Sequence, residues 1–440
     1  MAKKYQPVVS ILKWQLLVAF VLCSVSAWAQ QAPTVDTIGS AALSKSFSAQ
    51  NELFLSKLKD EAEDRKLSKY YQSNFREVFK ALNEGIMEGE VVNIPAVSST
   101  LERILSELKA KNPAVPADLR FFVLRNNLPN AFTIGDNSLF VNLGLFYYLE
   151  NEDQVASVIS HEIGHLLLTH TLKAMKYGYE KDKENAEDAR ELLHTQVKRS
   201  DRAFDLVRNS IYNVGKMKRE HEMQADSLGY ELFKNTGYQK NAFISALDII
   251  TRYDTLRPDG LTVESHKRFF DLPNQKFDDK WLKQEDFSSY TYGKFTEKFD
   301  KDSTSSHPKS KERIQYLVSI FPELKQPGGT SATTGSFKAI NTIAQNEQMP
   351  ILFFKEEYGE AVYDALLHLQ ERPGDTVYRN WLGKAFQKIY EGRRDYQLNK
   401  YLDRISPKDQ TASYIQFLSF MWNLKLEEIK NIADYYAQKN

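Results

Sequence analysis

The sequence predicts a mainly α-helical fold with one small mixed β-sheet, an α+β domain, followed by an α-helical repeat region. Three observations predict it. Apolar residues recur at helical spacing through charged surroundings, as from Asn51 to Gly89 and again from Val155 to Leu167. Two short strand-like runs stand at 118–124 and 137–142. A Gly/Ser/Thr-rich stretch, 326–336, then divides two regions of different patterning. With 440 residues, 42% hydrophobic and 26% charged, the chain can bury the cores of two or three domains and is not of disordered composition. Lys+Arg and Asp+Glu are equal at 58 each, so no overall field argues for nucleic acid or an anionic lipid surface.

At the N-terminus, Lys3 and Lys4 precede an apolar run from Trp14 to Trp28, and Ala27-Trp28-Ala29 has the small-x-small form of a signal-peptidase site. Residues 1–29 are therefore expected to be a cleaved export signal that sends the protein to the periplasm or cell envelope; an uncleaved anchor is the alternative. The sole cysteine, Cys23, lies inside this run, and Leu22 before it is too large for a lipoprotein site. A mature chain without cysteine has no disulfide and no thiolate ligand, which leaves histidine and carboxylate chemistry. No later segment holds the roughly 20 uninterrupted apolar residues that cross a bilayer, so no transmembrane span is expected in the mature chain. Residues 30–50 read as a flexible lead, and 51–325 as the first domain.

Within that domain, Asp118 to Leu124 and Asn137 to Asn142 read as strands, the second ending at Gly144. The next element is a helix with Val155, Val158, Ile159, Ile163, Leu166 and Leu167 at helical spacing and Asn151-Glu152-Asp153 at its start. It carries His161-Glu162-Ile163-Gly164-His165. Two histidines four apart lie roughly 40° apart around a helix and roughly 6 Å along it, so both imidazoles can face one Zn²⁺. Glu162 is then placed to reach the water that the metal activates.

A third ligand has to come from elsewhere. Leu168 and Thr171 stand where the extended histidine motif of one large protease class needs glycine and histidine, which excludes that class. His170 reads instead as a helix-end histidine near the C-terminal dipole. Further on, Glu222 and Asp226 share a helical face at i, i+4. Glu222 would complete a site for one Zn²⁺ with His161 and His165, open in its fourth position, and Asp226 would accept the outer N–H of a ligating histidine. His221 is a weaker candidate, pointing about 100° away from Glu222.

The runs Asn130-Ala131-Phe132, Phe140 to Leu145, His161 to His165 and Glu222 to Asp226 resemble, in order and spacing, the zinc metallopeptidase family of the CAAX prenyl proteases and their soluble bacterial relatives. The resemblance implies zinc on His161, His165 and Glu222, Glu162 as general base and Asp226 as support. Through His307-Pro308 and Arg313 it also implies that His307 steadies the tetrahedral intermediate and that Arg313 supports the site. The long polar stretch from Lys173 to Lys218 departs from the pattern; its 181–190 part reads as a solvated helix or a lid. In zinc proteases of this architecture an edge strand holds an extended peptide by main-chain hydrogen bonds, and Leu139, Phe140, Val141 and Asn142 are expected to form it.

Beyond a linker at 326–337, Pro373 and Pro407 stand 34 residues apart. Between them Asn380 to Phe386 resembles the first helix of a tetratricopeptide repeat, as Tyr358 to Leu367 resembles a second helix. Residues 338–440 are read as two degenerate repeats with a capping helix pair, Ala412 to Ala437, a surface for a protein partner. An exported zinc protease with such repeats resembles the periplasmic protease-chaperones of the BepA type. The expectation is a zinc metalloendopeptidase acting on proteins or peptides, among them misfolded envelope proteins, with no nucleic-acid partner. A catalytically silent chaperone or binding module that works through the repeats is the alternative.

Overall fold

A computed structural model of the chain describes residues 39–61, 64–184, 215–253, 258–283, 310–325, 332–407 and 410–437. The export-signal residues 1–29 and His307 lie outside the described residues. Two helices open the fold, α1 (Ser40–Glu61) and α2 (Arg65–Glu88). The lead expected over 30–50 is thus helical from Ser40. Phe47 explains the difference: it is 1% exposed and meets Phe79, Phe122 and Phe140 edge-on, so the segment has a core to join. Helix α2 is bounded by Asp64, whose carboxylate accepts from the Lys66 and Leu67 N–H groups, and by Gly89 at φ 84°, a left-handed stop that glycine adopts without strain.

Next come β1 (Val91–Val92), α3 (Pro95–Lys111), β2 (Arg120–Leu124), β3 (Ala131–Thr133) and β4 (Ser138–Asn142), the strands forming one mixed sheet in the order β1-β2-β4-β3. Strands β2 and β4 are parallel, while β1 and β3 run antiparallel to their neighbours. The register aligns Phe122, Phe140 and Phe132 across the sheet, and their rings stack at 5.1 and 5.0 Å centroid spacing under α1 and α2. Leu139 to Asn142 therefore do not form an edge strand. Strand β4 is hydrogen-bonded on both sides and every one of its residues is buried. Consecutive apolar residues, Leu139-Phe140-Val141, suit a strand covered on both faces, whereas a rim strand alternates. The rim beside the candidate site is β3.

After α4 (Leu143–Tyr148) the chain enters α5 (Glu152–Leu167). Asn151 caps it by accepting from the Gln154 N–H at 3.0 Å, and Glu152 and Asp153 complement the positive end of its dipole. All positions from Gln154 to Leu166 are buried. Ser157 and Ser160 are satisfied inside the helix, donating to the carbonyls of Gln154 and Ala156 at 2.7 Å. Then follow α6 (His170–Glu184), α7 (Gly215–Lys234), α8 (Ala242–Tyr253), α9 (Val263–Phe270) and α10 (Ser310–Ile320).

Helices α5 and α7 cross at two glycines. A Cβ on Gly164 would stand 2.7 Å from the Ala225 carbonyl oxygen, and one on Gly229 would stand 2.7 Å from the His161 Cα. Glycine costs roughly 1 kcal/mol against alanine in a helix interior, so both positions give up helix propensity for close approach. Gly229→Ala is expected to destabilise the protein by about 1–3 kcal/mol through overpacking and to displace His161. Thermal unfolding together with metal content checks this; a variant with wild-type Tm and full metal content counts against it.

The remaining helices are α11 (Gly335–Phe354), α12 (Tyr358–Glu371), α13 (Thr376–Arg394), α14 (Ala412–Asn423) and α15 (Leu426–Ala437). The two segments read as repeat helices fall within α12 and α13. The core of this region also takes in Leu261, Phe269, Phe270, Leu272 and Trp281, which precede the linker in sequence. Helix α11 joins the two regions, the Asn341 amide donating to the carbonyls of Phe146 and Leu149. Among the described residues no helix is long and apolar enough to cross a membrane.

Candidate active site

Helix α5 presents His161 and His165 on one face, and α7, held close by the glycine crossing, brings Glu222 opposite them. The Nε2 atoms of the two histidines lie 3.1 Å apart. Glu222 Oε1 is 3.3 Å from His165 Nε2, and Oε2 is 3.6 Å from His161 Nε2. One ligand atom from each of the three lies within 4.8 Å of the others, and all three residues are buried. Two imidazole nitrogens and a carboxylate converging on one point fit a zinc ion, with nothing on the opposite side of the set required for the fit.

Asp226, one turn after Glu222, puts Oδ1 3.0 Å from His161 Nδ1. Arg313, delivered by α10, grips the same carboxylate with Nε to Oδ2 at 2.7 Å and Nη2 to Oδ1 at 2.6 Å. Its Nη1 also lies 3.1 Å from Glu222 Oε2. Burial would raise the Asp226 carboxyl, but the guanidinium outweighs it and holds it down at about 2. Burial likewise works against the Arg313 charge, and the carboxylates of Asp226 and Glu222 more than restore it.

His170 occupies a place that its sequence position did not suggest. Thr169 takes φ 52° between α5 and α6, and this left-handed step turns the chain so that His170, 3% exposed, faces back to the site. Its Nδ1 lies 2.9 Å from His165 Nδ1 and its Nε2 3.1 Å from Gln224 Oε1. The His221 ring, which is not part of the His161–His165–Glu222 set, lies flat on His170 with centroids 4.0 Å apart and planes 7° apart. Burial first, then the neighbouring rings, pushes His170 down to about 3, and burial takes His221 down to about 4, so both are neutral imidazoles at neutral pH. The signal in the sequence was a histidine five residues after His165, one more than a continuous helix uses.

Beside the cluster lies a partly open cleft. Its rim is Asn130 and Ala131 at β3, its floor includes His161 and Glu162, and Asp226 and Arg313 reach it from behind. The wall opposite the rim is apolar, with Phe243, Ala246, Leu247 and Ile250 from α8. Helix α8 is fixed to α5 by the Gln154 amide, which donates to the Ser245 hydroxyl at 3.0 Å. Glu162, 3% exposed, is thus both in the cleft and adjacent to the histidine cluster.

A helix with two inward histidines, a carboxylate from a crossing helix and a cleft beside a short mixed sheet define a metallopeptidase domain. Residues 95–320, about half of the chain, match the model of peptidase family M48, and the chain belongs to that family, whose members are zinc metalloproteases. Over 86 residues it is 30% identical to the beta-barrel assembly-enhancing protease of Escherichia coli K12, a match covering 20% of this chain. The chain thus spans only 18% of the length of that curated relative. It is also similar to metalloprotease YcaL of Escherichia coli K12, 24% identical over 190 residues, covering 42% of this chain and 72% of the relative.

Proposed function

We propose that this protein is a zinc-dependent endopeptidase of the cell envelope that acts in protein quality control. The observation that carries the reading is the convergence of His161, His165 and Glu222 with Glu162 beside them in the cleft. Family membership supports peptide-bond hydrolysis, and the export-signal pattern supports the location.

Zinc held by His161, His165 and Glu222 would supply Lewis-acid polarisation of a water and of the scissile carbonyl. The chain's own residues do the rest. An extended substrate lies along β3, which among the described residues has its outer edge unpaired by any strand, and main-chain hydrogen bonds there hold backbone without regard to side chain. Glu162 takes the proton of the attacking water on a carboxylate oxygen and returns it to the leaving amine nitrogen. Asp226 accepts the Nδ1–H of His161 and so keeps Nε2 turned to the metal, while Arg313 holds Asp226 ionised and anchors Glu222. Helices α12 to α15 would recruit unfolded protein segments as a repeat surface.

The α8 wall favours an apolar side chain next to the scissile bond. Profiling of cleavage sites in a denatured protein is expected to show apolar residues enriched at one flanking position, and a flat profile counts against that wall as a specificity element. The function itself is tested by elemental analysis and casein cleavage with and without a chelator. One zinc per chain and chelator-sensitive cleavage support the reading; freshly purified protein without zinc overturns it.

A further inference from the structure

His161 and His165 turn their Nε2 atoms toward each other and toward Glu222, so each has Nδ1 left for a supporting partner, and the two partners are unlike. For His161 it is the Asp226 carboxylate, 3.0 Å away, which can only accept and so draws the proton to Nδ1, the Arg313 Nη2 donor standing further off at 3.5 Å. For His165 it is another imidazole, His170, which can donate or accept at the same atom. What His170 does at Nδ1 is decided at its far nitrogen. There Gln224 Oε1, an acceptor, lies 3.1 Å from Nε2 and draws the proton of the neutral ring to that side. His170 Nδ1 then carries a lone pair, the proton between the two rings belongs to His165 Nδ1, and His165 Nε2 is left to bind a metal. The flat contact with His221 fixes the plane of the His170 ring.

We propose that His170 is a positioning residue for the zinc centre, setting the tautomer of His165 through the path Gln224 to His170 to His165. The proposal rests on the reading of His165 as a zinc ligand. It gives the two histidine ligands different support: a carboxylate clamped by arginine behind one, and an imidazole held by an amide oxygen behind the other. Truncating such a support loosens a metal by about 10- to 100-fold.

The test compares wild type, His170→Phe and His170→Asn by zinc affinity in competition with a chromophoric chelator, and by the visible spectrum of the cobalt-substituted proteins. Phenylalanine keeps the stacked ring and removes the acceptor; asparagine gives up the ring but returns an oxygen near the Nδ1 position. The expected result is a rise in the zinc dissociation constant of about 10- to 100-fold for His170→Phe, with an altered cobalt spectrum, and recovery to within a few-fold of wild type for His170→Asn. Wild-type affinity in His170→Phe overturns the proposal. So does a His170→Asn variant as weak as His170→Phe, since the ring and not its acceptor would then matter. If His170→Phe does not fold, Gln224→Met decides: zinc loosened less than 10-fold but measurably supports the path, and unchanged affinity overturns it. Wild-type protein that takes up no zinc removes the underlying reading as well, which separates the two failures.

Discussion

Glu162→Gln is expected to keep its zinc and to lose peptide hydrolysis by about 10²- to 10⁴-fold, the range that a positioned general base supplies. The substitution is nearly isosteric, and Glu162 is not among the three residues whose ligand atoms converge. The amide retains the shape of the cleft floor but cannot take a proton from water at neutral pH. Metal content and kcat for a quenched peptide, measured on the same preparations, check this directly. Near wild-type kcat in a zinc-loaded variant would remove Glu162 from the reaction, and loss of zinc would mean that it supports the ligand set instead.

The second large effect belongs to Arg313. It is 3% exposed and is the cation paired with Asp226, itself fully buried, while also touching Glu222. Arg313→Met should cost about 3–5 kcal/mol, because the arginine leaves behind a buried carboxylate without its counter-charge. The pH dependence has a definite sign. In the wild type the depressed Asp226 contributes stability above the unfolded carboxyl pKa and loses it as pH falls toward about 2. Without the guanidinium, burial raises that carboxyl, so the penalty is present at neutral pH and is relieved when acid protonates it. Urea unfolding at neutral pH and near pH 4 should therefore show the gap between variant and wild type narrowing in acid. A gap independent of pH would mean that Arg313 acts by packing alone.

What the sequence made legible here is what local geometry decides. A helical repeat of 3.6 puts His161 beside His165 and Glu222 beside Asp226 whatever the rest of the chain does, and Asn151 announces the helix start. The pairing of the two helices was inferred from the need for a third ligand and then supported by the resemblance, while its physical cause, the close approach at Gly164 and Gly229, went unread. Edge or centre in a sheet is a non-local property, which is why β4 was misplaced while its bounds came within a residue. His170 was read as a helix-end histidine because its true position depends on one left-handed residue, Thr169, that no periodicity reveals. Phe47 was hidden in a polar lead for a similar reason: its burial comes from Phe122 and Phe140, far along the chain.

The route of the chain through its two cores bears on how the two regions are tied together. After α8 the polypeptide leaves the peptidase core, and residues 261–281 are packed against α12 to α15 before α10 supplies Arg313. Phe269, Phe270 and Trp281 are enclosed by side chains of α13 to α15, among them Phe386, Phe420 and Tyr436. Residues 261–281, between α8 and α10, are thus seated in the core of the later helices, and α10, which carries Arg313, is reached only after that excursion, so the two cores share one stretch of chain.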